Sequence, residues 1–384
     1  MVFFTMTAET ANDNPVSSMG TDRDLRLDAL RGLALWFIFL DHVPDNIFAW
    51  LTLRNYGFSD TTELFVFVSG YTCALAYGCM LQEQGWLTIT TRALHRSWEI
   101  YVGFLLLVVV YLGLIQLMGP NRPYIDETNT AIFFQDPGGA LLHVLTMQYA
   151  PVNTDVLPTF VLFHLLFPAV LFLMLRAKWF LLLTSFLIYT TVQIFGVNLP
   201  AWPGGQWFFN PLAWQFLFVM GVVAAMDGGT TIKTIRQSRI LVAVAVIYLL
   251  ASLFVTMSWQ FKALEVVPEF ISNLIYPIDK SNLAPARLLH FIALAIVVTH
   301  FAERELKPHY NPFIIAAVRC GENSLAIYIL SVLLSLLAHA ILVESGGAVG
   351  MQLAVSLIGI AIMAATGSLM TAAAKSDARG PKLF

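Results

Sequence analysis

Arg31 and His42 lie eleven positions apart in the run Arg31-Gly-Leu-Ala-Leu-Trp-Phe-Ile-Phe-Leu-Asp41-His42. On an α-helix, eleven steps of 100° make three turns plus about 20°, so both side chains share one face, about 16.5 Å apart along the axis. A guanidinium at one end of an apolar helix suits a phosphate-bearing ligand, because arginine–phosphate contacts are charge-assisted. An imidazole at the other end suits proton transfer, and a neighbouring carboxylate can fix its tautomer and raise its basicity. Asp41 and Asp45 lie beside His42, within side-chain reach around one helix end. Pro44 is expected to end or kink the helix there. A lone histidine in such a run is more often a hydrogen-bonded packing residue. The aligned arginine and the flanking carboxylates favour the chemical reading.

Further polar groups interrupt the apolar sequence. Asp60 and Glu63 open the next apolar stretch, and the short link 51–60 makes the two stretches antiparallel neighbours, so their carboxylates can converge with His42. Arg92 and Arg96 frame a basic segment that is either a lipid-headgroup anchor or, with Arg26 and Arg31, a site for ligand phosphates. Asp155, then Asn210, Trp214 and Gln215, then Arg287 and His290 add carboxylates, amides and aromatics near one side. Trp and Tyr there commonly form an interfacial belt. Mixed with amides and carboxylates they also suit a sugar, whose hydroxyls hydrogen-bond while its C–H faces stack on rings. Arg287 can pair with a nearby carboxylate. No metal site is expected. Cys73, Cys79 and Cys320 read as small packing residues.

The elements that must position these groups follow from composition. Of 384 residues, 58% are hydrophobic and 12% charged, about half the charge of a soluble domain. That excludes a water-soluble enzyme and a disordered chain. A net charge of −3 leaves no footprint for nucleic acid. The N-terminal segment, with Glu9, Asp13, Asp22 and Asp24, does not read as a cleaved signal. Apolar stretches near the ~20 residues needed to span a bilayer fall at about 29–50, 61–81, 98–118, 157–175, 179–196, 211–226, 240–258, 284–302, 321–342 and 348–371. Segments 140–150 and 264–278 are apolar but short, and read as interfacial or re-entrant. The spacing predicts an all-α polytopic membrane protein, a bundle of about ten transmembrane helices. Basic residues such as Arg23, Arg26, Arg92, Arg96, Arg176 and Lys178 gather on one side, against Arg54, Arg122, Lys262, Lys280 and Arg287 on the other. By the positive-inside rule the topology is N-in/C-in. Residues 1–28 and 372–384 are then cytoplasmic tails around a transmembrane domain at 29–371. Small residues at Gly359, Ala361, Ala364, Ala365 and Gly367 suit close packing of the last span, within one chain rather than in a dimer.

In order along the chain stand Arg26-Leu-Asp28-Ala-Leu-Arg31-Gly32, Asp41-His42, Gly57-Phe-Ser-Asp60-Thr-Thr-Glu63 and Phe67-Val-Ser69-Gly70-Tyr71. Gln148-Tyr149 with Asp155-Val-Leu-Pro158, Phe209-Asn210-Pro211 with Trp214-Gln215, Asp279-Lys280 with Pro285-Ala-Arg287-Leu-Leu-His290, and Gly321-Glu-Asn-Ser324-Leu325 follow. Together they resemble the OpgC family, succinyltransferases of osmoregulated periplasmic glucans, within the acyltransferase-3-like transmembrane acyltransferases. The resemblance implies a bacterial inner-membrane enzyme with no permanently bound cofactor. Its donor would be succinyl-CoA, or acetyl-CoA, from the cytoplasm, and its acceptor a periplasmic glucan hydroxyl. Arg26, Arg31, Arg92 and Arg96 would hold the nucleotide. His42 would act as general base or carry the acyl group transiently, oriented by Asp41 or Asp45. Asp60, Glu63, Asp155, Asn210, Trp214, Gln215, Arg287 and His290 would bind the sugar, unless Arg287 meets the free carboxylate of the succinyl group.

Two other function classes stay open. Intramembrane His, Asp and Arg also form proton relays in transporters, although no internal repeat of the transporter kind is visible. A scaffold for glucan synthesis would be indifferent to His42. The oligomeric state is not encoded in any motif.

Overall fold

The computed structural model describes residues 25–119, 127–261, 275–301 and 311–379, with Phe270 and Asn273. Among these residues the chain is helical, with one isolated bridge between Pro200 and Gln206. The helices are α1 (Leu25–Asp41), α2 (Thr61–Met118), α3 (Ala131–Gln135), α4 (Pro137–Leu145), α5 (Val156–Phe195) and α6 (Pro211–Met226). Then come α7 (Thr230–Gln237), α8 (Arg239–Gln260), α9 (Pro285–Phe301), α10 (Pro312–Glu322), α11 (Ser324–Glu344) and α12 (Val349–Arg379).

Five helices are long and apolar enough to cross a membrane: α2, α5, α8, α11 and most of α12. A sixth results if α6 and α7, bent by 91°, are taken as one span. Large apolar side chains such as Leu106, Val109, Phe180, Leu183, Ile240 and Ile247 cover their outer faces. This is a membrane protein: water would penalise such a surface and lipid does not.

Two of these helices turn back on themselves. α2 has 58 residues, about 87 Å if straight, far more than a ~30 Å hydrocarbon core. It breaks at Gly85, whose φ of 77° is a conformation glycine adopts without a Cβ clash. Phe65 packs on Phe160, and Ser97 donates to the carbonyl of Val161. In a straight helix residues 65 and 97 would stand about 48 Å apart, so the chain reverses between them. α5 does the same at Ala177 (φ −153°, ψ 60°): Phe163 meets Phe218 while Phe186 meets Phe216. Each helix thus contains two of the apolar segments read from the sequence.

Several boundaries differ from expectation. α1 stops at Asp41 rather than near residue 50, ahead of exposed Pro44 and of Asp45 at φ 56°. The chain continues as short 3₁₀ turns, Ile47–Leu51 and Leu53–Asn55. At the other end, α1 already includes Arg26 and Asp28, which the sequence reading put in a tail. The segment expected at 321–342 is broken at Asn323, whose side chain bonds Arg319 O, Gly367 O and Thr371 Oγ1. α12 runs on past residue 371 through Ala372, Ala373, Ala374 and Lys375, all strong helix formers. Residues 1–24, most of segment 264–278, and the basic residues Arg23, Arg122 and Lys262 lie outside the described residues.

The bundle is tied together where helices cross closely. A Cβ on Gly70 would stand 2.1 Å from the carbonyl oxygen of Phe218, and one on Gly221 2.2 Å from that of Phe67, so α2 and α6 touch backbone to backbone. The small residues of α12 serve the same purpose within this chain, with Gly359 against the ring of Phe39.

Candidate active site

Two cavities lie at opposite ends of α1. The first has a volume of about 700 Å³ and is lined by Arg31 and Arg96 together with Ser69, Cys73, His164 and Ser324. Arg31 extends from the start of α1 and donates to Ser324 Oγ at the start of α11. Two separate sequence motifs therefore meet at one guanidinium. Arg96 pairs with Glu99 at 2.7 Å and still faces the cavity. Arg92 is exposed, bonds Gln84 at 3.3 Å and is not among the lining residues; nor is Arg26. Of the four expected phosphate ligands, the fold brings Arg31 and Arg96 together.

The second cavity, of about 530 Å³, holds His42 with Asp41, Arg54, Asp60, Asp155, Lys280 and Arg287. Phe58, Phe208, Phe209 and Trp259 add aromatic surface. The short link between α1 and α2 does bring Asp60 to the cavity of His42. Asp60 caps α2, accepting from Thr62 N at 2.8 Å, while Glu63 Oε2 accepts from Asp60 N at 2.9 Å, a reciprocal box that fixes the helix start. Lys280 approaches Asp60 at 2.7 Å, and Arg287 bonds both Asp60 (3.1 Å) and Glu63 (2.7 Å). Burial opposes ionisation of Asp60, but Lys280 and, next, Arg287 outweigh it and hold its carboxyl well below the usual carboxylate range. Glu63 is wholly buried and reaches no cavity surface; it secures Arg287.

His42 continues the register of α1, its N–H bonding Ile38 O at 3.0 Å. Its Nδ1 is buried and, among the described residues, has no hydrogen-bond partner. The flanking carboxylates do not hold that atom. Asp41 accepts from Thr52 Oγ1 at 2.6 Å instead, and Asp45 is exposed beyond the end of the helix. The helical reach assumed for Asp45 is lost because α1 has already ended.

Other expected sugar ligands are spent on architecture. Asn210 caps α6 and donates to Val197 O and Asn282 Oδ1, both at 2.8 Å. Trp214 is fully buried with Nε1 on the carbonyls of Lys280 and Ser281. Gln215 bonds Ser185. These groups hold the loop that presents Lys280 but do not line the cavity. His290 lies behind the wall: its Nδ1 meets Ser59 Oγ at 2.6 Å, and Gly57 packs on its Nε2 edge. The sequence reading passed over Arg54, Lys280, Phe58 and Trp259 as site residues. Lys280 and Phe58 stood in quoted motifs, beside Asp279 and Gly57; Arg54 and Trp259 carry no spacing that marks them.

The cavities share three lining residues, Phe65, Val156 and Tyr328. Tyr328 is fixed by donating to the carbonyl of Asn153 at 2.7 Å. A phosphate-compatible chamber and a polar, aromatic chamber therefore lie end to end along α1, with an apolar partition between them.

A family model described as OpgC protein matches residues 23–375, nearly the whole chain. No curated protein and no solved structure matches it.

Proposed function

From its membership of the OpgC family we propose that this chain is a membrane-bound O-acyltransferase. It moves an acyl group, succinyl in our reading, from cytoplasmic acyl-CoA to a hydroxyl of a periplasmic glucan. The carrying observation is the pair of chambers at the two ends of α1, meeting at Phe65, Val156 and Tyr328. A donor and an acceptor on opposite faces of a membrane require such an arrangement. Its orientation in the bacterial inner membrane is N-in/C-in, with about ten crossings once α2 and α5 are each counted as two, α6 with α7 as one, and the shorter α1 and α9 are included, and the Arg31 chamber faces the cytoplasm.

Arg31 and Arg96 bind the CoA phosphates, and the pantetheine arm passes the partition. His42 accepts the proton of a glucan hydroxyl. That oxygen attacks the thioester carbonyl, the carbon–sulfur bond breaks, and CoA leaves as the thiol once its sulfur is protonated. A buried polar atom without a partner costs roughly 1–3 kcal/mol, which supports a chemical role for His42 over a packing one. Asp60, Lys280 and Arg287 present polar groups to the sugar, and Phe58 and Trp259 offer rings to its C–H faces. Neither Asp41 nor Asp45 orients the imidazole by a direct bond among the described residues; the Asp41 carboxylate is held by Thr52 and Asp45 is exposed.

Mass spectrometry of periplasmic glucans from cells with and without the protein tests this. A succinyl mass increment that requires the protein supports the reading. An unmodified glucan in both, with net solute flux in proteoliposomes, would place the chain among transporters.

A further inference from the structure

We propose that Arg54 receives the distal carboxylate of a dicarboxylic acyl group and so selects a succinyl-type donor over a neutral one. The inference rests on the acyl-transfer reading and specifies its donor.

Three cations line the His42 cavity. Lys280 is committed to Asp60 at 2.7 Å, and Arg287 to Glu63 at 2.7 Å and Asp60 at 3.1 Å. The sequence reading allowed Arg287 to meet a succinyl carboxylate, but its partners are already in place. Arg54 differs. Among the described residues its hydrogen-bond partner is the backbone carbonyl of Asp41, 3.1 Å from Nη1. The Asp41 carboxylate itself is turned to Thr52 Oγ1. A guanidinium has five N–H donors in a rigid fork that matches a carboxylate bidentately. One of the five is used.

Position supports the same conclusion. The 3₁₀ turn Leu53–Asn55 carries Arg54, and its bond to Asp41 O anchors it one residue from His42. A donor whose phosphates sit at Arg31 enters the second cavity acyl end first. The distal carboxylate of a succinyl group would lead, beyond the carbonyl carbon that His42 serves. There it meets the carboxyls of Asp41 and Asp155, which do not attract it, and the cluster of Asp60, Glu63, Lys280 and Arg287, whose charges balance one another. Arg54 is the cation left to receive it. An acetyl group places nothing at that point.

The test uses the purified full-length protein with glucan acceptor and three donors: succinyl-CoA, succinamyl-CoA (the same shape with a neutral amide) and acetyl-CoA. Wild type should favour succinyl-CoA over succinamyl-CoA in kcat/KM by roughly ten- to hundredfold, the worth of a charge-assisted contact. Arg54→Gln should bring that ratio close to one. Arg54→Lys, which keeps the charge near the α1 C-terminus but loses the fork, should give an intermediate ratio, and it decides the matter if Arg54→Gln fails to fold. A flat ratio in wild type, or the wild-type ratio in either folded variant, overturns the assignment. Transfer from none of the three donors by wild type overturns the acyl-transfer reading itself, a result distinct from a flat ratio.

Discussion

Phe65 and Tyr328 stack with ring centroids 6.4 Å apart, and both rings line the Arg31 cavity and the His42 cavity at once. Phe65 comes from α2 and Tyr328 from α11, and each is more than nine-tenths buried. An apolar partition here keeps water and sugar away from a thioester until its arm is threaded through. Phe65→Leu keeps apolar volume and removes the ring. It should raise acyl-CoA hydrolysis in the absence of glucan severalfold, read as thiol release by the purified protein. Thiol release at the wild-type rate would show that the partition does not control access.

Arg31 tests the donor side. Its guanidinium joins α1 to Ser324 and faces the larger cavity. Arg31→Ala should raise the apparent KM for acyl-CoA more than that for glucan. A charged contact contributes about 1.5–3 kcal/mol, or roughly ten- to hundredfold at 1.4 kcal/mol per decade. Arg92→Ala should have little effect, since Arg92 is exposed and off the cavity. Equal donor KM values in wild type and a folded Arg31→Ala protein would remove Arg31 from the donor site.

The ion cluster of Asp60, Glu63, Lys280 and Arg287 should separate stability from substrate use. Removing Arg287 leaves Glu63 buried without its cation, and breaking a buried pair from one side costs about 3–5 kcal/mol. Arg287→Met should therefore lower the thermal midpoint in detergent markedly. Glu63→Gln should also act on stability, because Glu63 touches no cavity. Asp60→Asn faces the cavity and should in addition raise the KM for glucan. If all three variants melt like wild type and turn over normally, the cluster neither holds the loop nor meets the sugar.

What the sequence made legible was the chemistry carried by spacing. Arg31 and His42 are set by one continuous helix, so their separation and their two destinations follow from helical geometry. Asp60 and Glu63 were readable as a pair opening the second span, and the structure makes of them a reciprocal capping box. What was lost depended on where a helix stops and how distant loops meet. Asp45 was placed beside His42 by helical spacing around the end of α1; the helix stops at Asp41, and the turn with Asp45 at φ 56° carries that side chain away. Asn210, Trp214 and Gln215 have sugar-binding residue types, yet tertiary contacts with Lys280, Ser281, Asn282 and Ser185 consume their polar atoms. Arg54 and Trp259 reach the cavity through packing that no local pattern encodes. Gly85 and Ala177, where α2 and α5 reverse, stand between apolar segments that the sequence did separate.

His42 carries the last prediction. It lines the second cavity at the end of α1, and its buried Nδ1 has no partner among the described residues. His164 bonds the carbonyl of Phe160 at 2.9 Å and lines the first cavity, away from the sugar groups. His290 clamps Ser59 behind the wall of the second. His42→Ala should therefore abolish acyl transfer while acyl-CoA binding, measured separately, persists. Loss of a general base costs about 10²–10⁴-fold. His42→Gln keeps a hydrogen-bonding side chain but cannot take the proton, and should fail as well. In wild type the neutral imidazole is the base, and burial, then Lys280, holds its pKa below the ordinary histidine value, so the rate should rise with pH only along a limb in the acid range and stay level around neutral pH. That ascending limb should vanish from the residual activity of His42→Gln. A pre-steady-state mass measurement distinguishes the two routes: an acyl group trapped on His42 replaces proton abstraction with a covalent relay. Near-normal transfer by both variants would remove His42 from the chemistry and turn attention to His290.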